Sequence, residues 1–234
     1  MNNQAHNNIT TFAQKAINYY FSLKAPLFKD PSPGIINPYE KLDVQEIVRA
    51  FYYRYYNDQR KRVFLLGINP GRFGGGLTGI SFTDPVALRK YCGIENELGT
   101  QRELSSEFVY LFINKFGGPE AFFSRFYLSA LYPLAITKNG KNYNYYDEAS
   151  LYKTLKPHII ESLTKQVNFG AEKRFAICLG KKNEKYLSEL NSELKLFDKI
   201  YTLEHPRYIM QYKRRVLGDY LNNYQSLLSE LSLA

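Results

Sequence analysis

Two polar side chains, Asn69 and His205, each follow a run of apolar residues, and their types suit one kind of hydrolysis. Asn69 follows residues 63–66 and His205 follows residues 200–203, and such runs are typical of buried strands. In an open parallel sheet, ligands bind beyond the carboxyl ends of the strands, so the amide and the imidazole can face one pocket. Such a pairing of an amide and an imidazole suits cleavage of a base from a sugar.

The glycine-rich stretch at 74–79 matches the dinucleotide-binding pattern G-x-G-x-x-G, but its position argues against that function. In the pattern, the glycines form the turn between a strand and a helix, so that the helix N-terminus meets the pyrophosphate. Here residues 69–73 separate the glycines from the strand, and the next helix is predicted to start only at residues 83–85. No Gly-Lys-Ser/Thr follows, which excludes the Walker form. We therefore interpret the stretch as a loop whose missing Cβ atoms let the backbone approach a flat ligand.

Composition and charge favour a globular protein with polyanionic partners. The 234 residues are 44% hydrophobic and carry 31 Lys and Arg against 22 Asp and Glu, a net charge of +9. A charge of that size favours nucleic acid, because neutralised phosphates release counterions. No apolar run approaches the roughly 18 residues of a membrane helix, and the first residues lack the features of a signal peptide. Two cysteines, Cys92 and Cys178, are too few for a four-thiolate cluster. We expect a reduced, cytoplasmic monomer without metal, cofactor or membrane partner.

Aromatic side chains make up 16% of the chain, with 21 Tyr, 16 Phe and no Trp. One tyrosine cluster, at residues 52–56, is interpreted as a helix face that packs on the core. A second cluster, at residues 143–146, lies in a polar stretch that is predicted as a loop. Packing explains this second cluster less well, so stacking on unpaired bases remains an alternative there.

The hydrophobic pattern alternates between helices and strands along the chain. Helices are predicted over 9–24, 43–57, 104–116, 119–125, 147–166, 181–194 and 213–231, and Asp84-Pro85 is a further helix start. Strands are predicted at 62–68, 126–131, 174–179 and 199–203, and residues 31–38 are predicted as an extended loop. This alternation favours a parallel sheet with helices on both faces, in a single domain over residues 1–234.

The segment that contains Asn69 continues as a longer motif, and further segments follow it in order. Residues 67–74 read GINPGRFG and residues 78–82 read TGISF, and His205-Pro206 lies about 135 residues after Asn69. These segments, together with 34–38, 116–123, 132–134, 139–142 and 179–180, resemble those of the single-strand-selective monofunctional uracil-DNA glycosylases. That family belongs to the uracil-DNA glycosylase superfamily. The resemblance begins at about residue 30, so the predicted N-terminal helix within residues 1–30 lies outside it.

The resemblance implies an α/β fold, namely a three-layer α/β/α sandwich around a central four-stranded parallel sheet. It also implies that a nucleotide flipped out of DNA enters the pocket at the strand ends. In that family arrangement Asn69 positions the water that attacks C1′, and His205 hydrogen bonds the base oxygen on which negative charge accumulates. Phe82 stacks on the extracted base, and the base pocket is further formed by Gly67, Ile68, Gly71 and Phe73.

One position of the base pocket departs from the family's pattern. Ala130 stands where the family has an asparagine that reads the amide edge of uracil. A methyl group cannot hydrogen bond, and a site without the reading amide loses discrimination as well as affinity. Ser129, Asn142 or Asn144 could take over this role.

The segment after His205-Pro206 also departs from the family, whose Ser-Pro-Arg wedge is replaced by residues 207–212. Arg207, Tyr208 or Met210 could fill the gap that a flipped base leaves in DNA. The basic run at 213–215 starts the last predicted helix and suits phosphates, and a solvated helix face is its alternative interpretation. We expect a basic rim around the pocket from Arg72, Lys138, Lys141, Arg207, Lys213 and Arg214.

These features lead to two main hypotheses from different classes. The first is a DNA-repair glycosylase that hydrolyses the N-glycosidic bond of uracil or a related damaged base. It would be monofunctional, because no lysine occupies the motif positions to form a Schiff base. The second is a catalytically altered or inactive nucleic-acid-binding protein with the same fold, which Ala130 favours. The net charge argues against a third, a small-molecule nucleoside hydrolase.

Overall fold

A four-stranded parallel sheet forms the centre of the protein in the computed structural model, which describes residues 10–26, 28 and 33–233. The strands among these residues are β1 (Gly34–Ile36), β2 (Arg62–Gly67), β3 (Phe126–Ala130), β4 (Ala135–Lys138), β5 (Lys141–Tyr143), β6 (Ala171–Leu179) and β7 (Lys199–Leu203). The central sheet has the order β3-β2-β6-β7, with all neighbouring strands parallel. Its two middle strands are among those that the sequence pattern predicts. All six residues of β2 are buried, as are the last four of β6.

Helices cover both faces of the central sheet. They are α1 (Phe12–Phe21), α2 (Leu42–Tyr56), α3 (Gly75–Thr78), α4 (Pro85–Cys92), α5 (Leu104–Phe116), α6 (Pro119–Phe123), α7 (Ala149–Val167), α8 (Lys181–Leu194), α9 (Pro206–Tyr212) and α10 (Leu217–Leu233). Tyr127 of β3 contacts Phe12 of α1 and Tyr56 of α2. The preceding residue, Phe126, contacts Phe122 of α6. Because successive strand residues point to opposite faces, these contacts place helices on each side of the sheet. The fold is therefore the predicted three-layer α/β/α sandwich.

A small antiparallel sheet, with the order β1-β4-β5, was not predicted. Residues 34–36 fall in the segment predicted as an extended loop, and that prediction is wrong there; residues 31 and 32 lie outside the described part of the chain. Three-residue strands carry too little periodicity to be recognised alone. The turn between β4 and β5 does have a sequence signal, because Asn-Gly favours tight hairpin turns. In the structure Asn139 and Gly140 have the positive φ that such a turn requires, 52° and 68°.

Two further sequence predictions require correction. The last helix was predicted as one element over 213–231, whereas α9 begins at Pro206 and α10 follows after a short 3-10 turn at Arg214–Val216. Proline suits the first turn of a helix, and His205 caps this one, so the start lies earlier than the periodicity indicates. The glycine-rich stretch was predicted as loop but contains α3, which ends at Gly79 with φ of 74°.

Most rings of the two tyrosine clusters pack inside the protein. In the first cluster, Tyr52 is buried on α2, as are its neighbours at 55 and 56, whereas Tyr53 is 46% exposed. In the second, Tyr145 and Tyr146 are buried, and their ring centroids lie 5.5 and 5.2 Å from that of Tyr186. Packing accounts for these two rings, whereas Tyr143 is only partly buried. Among the described residues, no helix is both long and apolar enough to span a membrane.

Candidate active site

A cavity of about 350 Å³ opens at the carboxyl ends of the central strands. Asn69 reaches it two residues after β2, Ala130 at the end of β3, and His205 two residues after β7. The three residues are far apart in sequence and meet because parallel strands end at the same edge of the sheet. The predicted pocket at the strand ends is therefore present as a cavity.

Backbone atoms hydrogen bond to both the nitrogen and the oxygen of the Asn69 side-chain amide. Its Nδ2 donates to the Tyr143 carbonyl oxygen at 3.0 Å, and its Oδ1 accepts from the Tyr145 N–H at 3.2 Å. The segment that contains Tyr145 is itself held in place. The Tyr145 hydroxyl donates to Oδ1 of buried Asn183 at 2.7 Å, and Nδ2 of Asn183 donates to the Leu66 carbonyl oxygen. These bonds set the orientation of the amide. A carbonyl oxygen has two lone pairs, so Oδ1 retains one acceptor position for a water molecule.

The hydrogen bonds of His205 fix its tautomer. As the residue that caps α9, it accepts a hydrogen bond at Nδ1 from the Arg207 N–H at 3.2 Å. Burial lowers the pKa of His205 to about 4, and the positive charge of Arg207 acts in the same direction. The ring is therefore neutral near pH 7, with its proton on Nε2 as a donor. Gly180 makes room for the ring, since a Cβ there would lie 3.2 Å from the Cβ of His205.

Phe82 provides a flat apolar wall of the cavity. Its ring lies 6.0 Å from the His205 ring, centroid to centroid, and packs on Gly67. A Cβ at position 67 would lie 2.7 Å from Cε2 of Phe82, so only glycine leaves space for the ring. Phe82 has a φ of 57°, a backbone conformation that costs a residue other than glycine about 1–3 kcal/mol and that is common at functional sites.

The structure brings most of the predicted pocket residues to the cavity and places others elsewhere. Ile68, Gly71, Ala130, Arg207 and Tyr208 line it, as do Asn142 and Asn144. Gly67 lies behind the Phe82 ring, and Phe73 is 40% exposed, outside the lining, beside the guanidinium of Arg72.

Two residues predicted at the pocket face the protein interior instead. Ser129 is 1% exposed, and its hydroxyl hydrogen bonds to Gln166 of α7 and Tyr20 of α1 in the protein interior. It cannot replace the missing base-reading amide at Ala130, because successive residues of a strand point to opposite faces. Met210 is 2% exposed, so it cannot act as the wedge, whereas Tyr208 is 39% exposed at the cavity.

The six predicted rim residues fall into two groups. Arg72, Lys138 and Lys141 lie at or beside the hairpin of β4 and β5, where the Arg72 N–H donates to Asn142 Oδ1 at 3.0 Å. The other group is on α9 and the turn after it, and consists of Arg207, Lys213 and Arg214. Two of the six form ion pairs, Lys138 with Glu148 and Arg214 with Glu107.

Several cavity residues were not predicted from the sequence. The most informative is Glu103, whose carboxyl group lies over the backbone of the first motif. Burial raises the pKa of this carboxyl. It directly precedes α5, and no pattern or spacing in the sequence relates it to Asn69 or His205. The others are Ser81, Ser105, Gln211 and Tyr212.

In the part of the chain that the structure describes, no group of His, Cys, Asp and Glu side chains could hold a metal ion. Cys92 and Cys178 are both buried and free. The polar groups that line the cavity are amide, imidazole, guanidinium, carboxyl and hydroxyl groups.

The comparisons with known proteins agree with this geometry. A sequence model of the uracil DNA glycosylase superfamily matches residues 53–231. The crystal structure of wild-type SMUG2 from Pedobacter heparinus is similar, with 44% sequence identity and a TM-score of 0.92. The match covers 97% of this chain and 100% of that chain, so it extends into the first 30 residues, where the sequence resemblance ended. No curated protein matches the chain. The chain therefore belongs to the uracil DNA glycosylase superfamily and is a SMUG-like member of it.

Proposed function

We propose that the protein is a monofunctional DNA glycosylase that hydrolyses the N-glycosidic bond of uracil or a related damaged base. The observation that carries the proposal is the meeting of Asn69, Phe82 and His205 around one cavity. The superfamily acts on DNA, and enzymes that act on a base flip its nucleotide out of the stack. The flipped base would lie against Phe82, between the amide and the imidazole.

The orientation of the two polar groups suits hydrolysis. As the glycosidic bond breaks, the sugar becomes cation-like and the base leaves with negative charge. The Nε2–H of neutral His205 stabilises that charge by a hydrogen bond, without proton transfer. The free lone pair of Asn69 Oδ1 holds the water that attacks C1′. A weak base suffices here, because the cation-like sugar reacts readily with a well-placed water.

The monofunctional reaction is supported by the composition of the cavity wall. Among the described residues, no lysine lines the cavity, so no amine is at hand for a Schiff base with C1′. Hydrolysis would leave an abasic site in an intact strand.

The surface around the cavity suits DNA. Tyr208 and Tyr212 line its mouth, are 39% and 64% exposed, and contact each other with ring centroids 5.5 Å apart. Exposed rings beside a basic residue such as Arg207 can stack on neighbouring bases or fill the gap left by the flipped one. We further infer that the protein acts as a cytoplasmic monomer, to which its two free cysteines are suited.

Incubation with oligonucleotides that carry uracil, hydroxymethyluracil, xanthine or hypoxanthine tests the proposal, with alkali to reveal abasic sites. We expect excision by the wild type, and a loss of about 10²–10³-fold in single-turnover rate for His205→Ala, the loss of one transition-state donor. Asn69→Ala should be at least as slow. Matched controls are His158→Ala and Asn114→Ala, which change exposed residues outside the cavity and should behave as wild type.

The pH dependence gives a second readout for His205. Because its pKa is about 4, we expect His205 to cause no step in rate around the ordinary histidine value of about 6.5, so the pH profile around that value should be the same in His205→Ala as in the wild type. A rate that rises or falls through that value in the wild type and not in His205→Ala would contradict the assigned state of the ring.

The second candidate, a binding protein that has lost excision, is favoured by one observation, the Ala130 methyl in the cavity wall. Absence of excision from every oligonucleotide, with binding to the same oligonucleotides retained, would support it and overturn the enzyme proposal.

A further inference from the structure

The cavity contains one carboxyl group, that of Glu103, which the mechanism above does not use. Resting on the proposed function, we propose that Glu103 is a further catalytic residue, whose protonated carboxyl group donates a hydrogen bond to the extracted base. It would share with His205 the negative charge of the departing base.

Space for the carboxyl group is provided by the first motif itself. A Cβ at Gly71 would lie 2.6 Å from Cδ of Glu103, and a Cβ at Gly74 would lie 3.0 Å from the same atom. Any other residue at these positions would displace the carboxyl group. The two glycines therefore seat Glu103 directly beside the loop that carries Asn69, on the wall of the cavity.

The backbone of Glu103 is anchored independently of its side chain. Its N–H donates to Oδ2 of Asp84 at 3.0 Å, and Asp84 also caps α4. Glu103 occupies the capping position of α5, yet its side chain makes no capping hydrogen bond to that helix. The side chain turns instead to the cavity, which is unusual for an acidic residue at a helix N-terminus, where negative charge is stabilised.

Burial, and not the partners of the carboxyl group, favours its neutral form. Among the described residues it accepts one hydrogen bond, at Oε1 from the Ser105 hydroxyl at 3.1 Å, and it forms no ion pair. That hydrogen bond and the charge of Arg207 favour the ionised form, whereas the charge of Asp84 opposes it. Burial is the largest influence and raises the pKa of the Glu103 carboxyl. Oε2 lies against Gly74 and makes no hydrogen bond among the described residues, so a proton on Oε2 supplies an O–H donor.

A protonated carboxyl group would supply a polar contact to the base that Ala130 cannot make. Ala130 contributes a methyl group where a hydrogen-bonding group would read the base, so other wall residues must supply polar contacts. A protonated carboxyl can donate and accept at once, as an amide does. A donor placed near a developing negative charge is worth most in a site that excludes water.

The inference predicts a pH dependence that only Glu103 produces. The donor is present below the pKa of Glu103 and is lost as the pH rises through it, since the carboxylate has no proton to donate. We expect the single-turnover excision rate of the wild type to fall by about 10-fold or more as the pH is raised through the pKa of Glu103. Glu103→Gln keeps a donor of the same shape at every pH, so its rate should stay flat where the wild-type rate falls.

Two further variants complete the experiment, with excision measured on the base that the wild type removes best. Glu103→Ala should lose about 10²-fold in rate at pH values below the fall of the wild-type rate, while its binding to the oligonucleotide is unchanged. Glu97→Gln, in the exposed segment before α5, carries the same change of charge outside the cavity and should reproduce the wild type.

Rates of Glu103→Ala and Glu103→Gln within about two-fold of the wild type, with the same pH profile, would overturn the inference. So would a fall in rate with pH that persists in Glu103→Gln. If Glu103→Ala fails to fold, the comparison of Glu103→Gln with the wild type still decides. Absence of wild-type excision from every base would instead overturn the proposed function and this inference with it.

Discussion

Ala130 is the residue at which the cavity wall differs most from the pattern of the resembled family. It is 3% exposed, its methyl group lines the cavity, and its carbonyl oxygen accepts a hydrogen bond from Gln166 Nε2 at 3.3 Å. Its backbone is thus fixed by the sheet and by α7. A longer side chain at this position would extend into the cavity without a change of backbone conformation.

Ala130→Asn is therefore expected to increase excision of uracil, by about 10-fold or more, because it restores a donor and an acceptor at the base edge. Single-turnover rates on a uracil oligonucleotide measure the effect. The gain should disappear in Ala130→Asn combined with Asn69→Ala. A slower rate with an unchanged melting temperature would show that another group already reads the base.

At the scale of single residues, the sequence predicts cavity residues that belong to a recognisable motif or strand end. It does not predict residues that reach the cavity only through contacts formed in the folded protein. Asn69 and His205 are indicated by their positions after two strand-like runs, and Phe82 by the family resemblance, and the structure places all three around one cavity. Ser129 was chosen as a neighbour of Ala130, but alternation along a strand sends the two to opposite faces. Glu103 was missed because its position depends on two glycines, 71 and 74, whose purpose is visible only in three dimensions.

The ends of the central strands are the elements on which the geometry of the site depends. At the end of β2, Gly67 leaves the space that the Phe82 ring fills. Phe82 follows in a left-handed conformation that the surrounding packing must maintain. The stacking wall is therefore maintained jointly by a strand end and by the loop after α3.

Gly67→Ala is expected to displace the Phe82 ring and to reduce the excision rate by about 10-fold or more, since misplacement by about 1 Å is costly in an active site. The matched control is Gly218→Ala in α10, where an added Cβ meets nothing within 4 Å. Rates and melting temperatures of both variants should be compared. Full activity of Gly67→Ala would show that the ring position is not required.

The central strands and long helices were predicted to within a few residues because each has its own apolar period. β7 and α8 have the predicted bounds, 199–203 and 181–194. The small sheet of β1, β4 and β5 was missed because its strands are only three or four residues long, and because β1 pairs with β4 about 100 residues away. α9 was missed because seven residues after a proline contain too few turns to show helical periodicity.

Charge is the property of the whole molecule that bears most on DNA. The net charge is +9, and the basic residues near the cavity lie on the β4–β5 hairpin and around α9. The ion pairs of Lys138 and Arg214 with nearby glutamates reduce the charge that they present. Exposed Lys141 and Arg207, by contrast, form no ion pair among the described residues.

We expect the affinity for DNA to fall steeply with salt, because each neutralised phosphate releases counterions. Combining Lys141→Ala with Arg207→Ala should weaken binding and reduce the slope of log Kd against log salt by about two. A matched control combines Arg174→Ala with Lys199→Ala, which removes equal charge from the opposite ends of the strands. Fluorescence anisotropy with labelled oligonucleotides measures both. Salt-independent binding would contradict the electrostatic interface.

The way Asn69 is held has a consequence for how this protein can vary among its relatives. The hydrogen bonds that join its amide to residues 143 and 145 are made by main-chain atoms there, which every amino acid except proline at 145 can supply. Natural substitution at Tyr143 can therefore proceed without loss of the amide's orientation. Tyr145 is constrained separately through its hydroxyl contact with Asn183. A comparison of related sequences should thus find residue 143 diverse although Asn69 is invariant. Substitutions of the side chain at 143 would not reveal that its carbonyl oxygen orients Asn69.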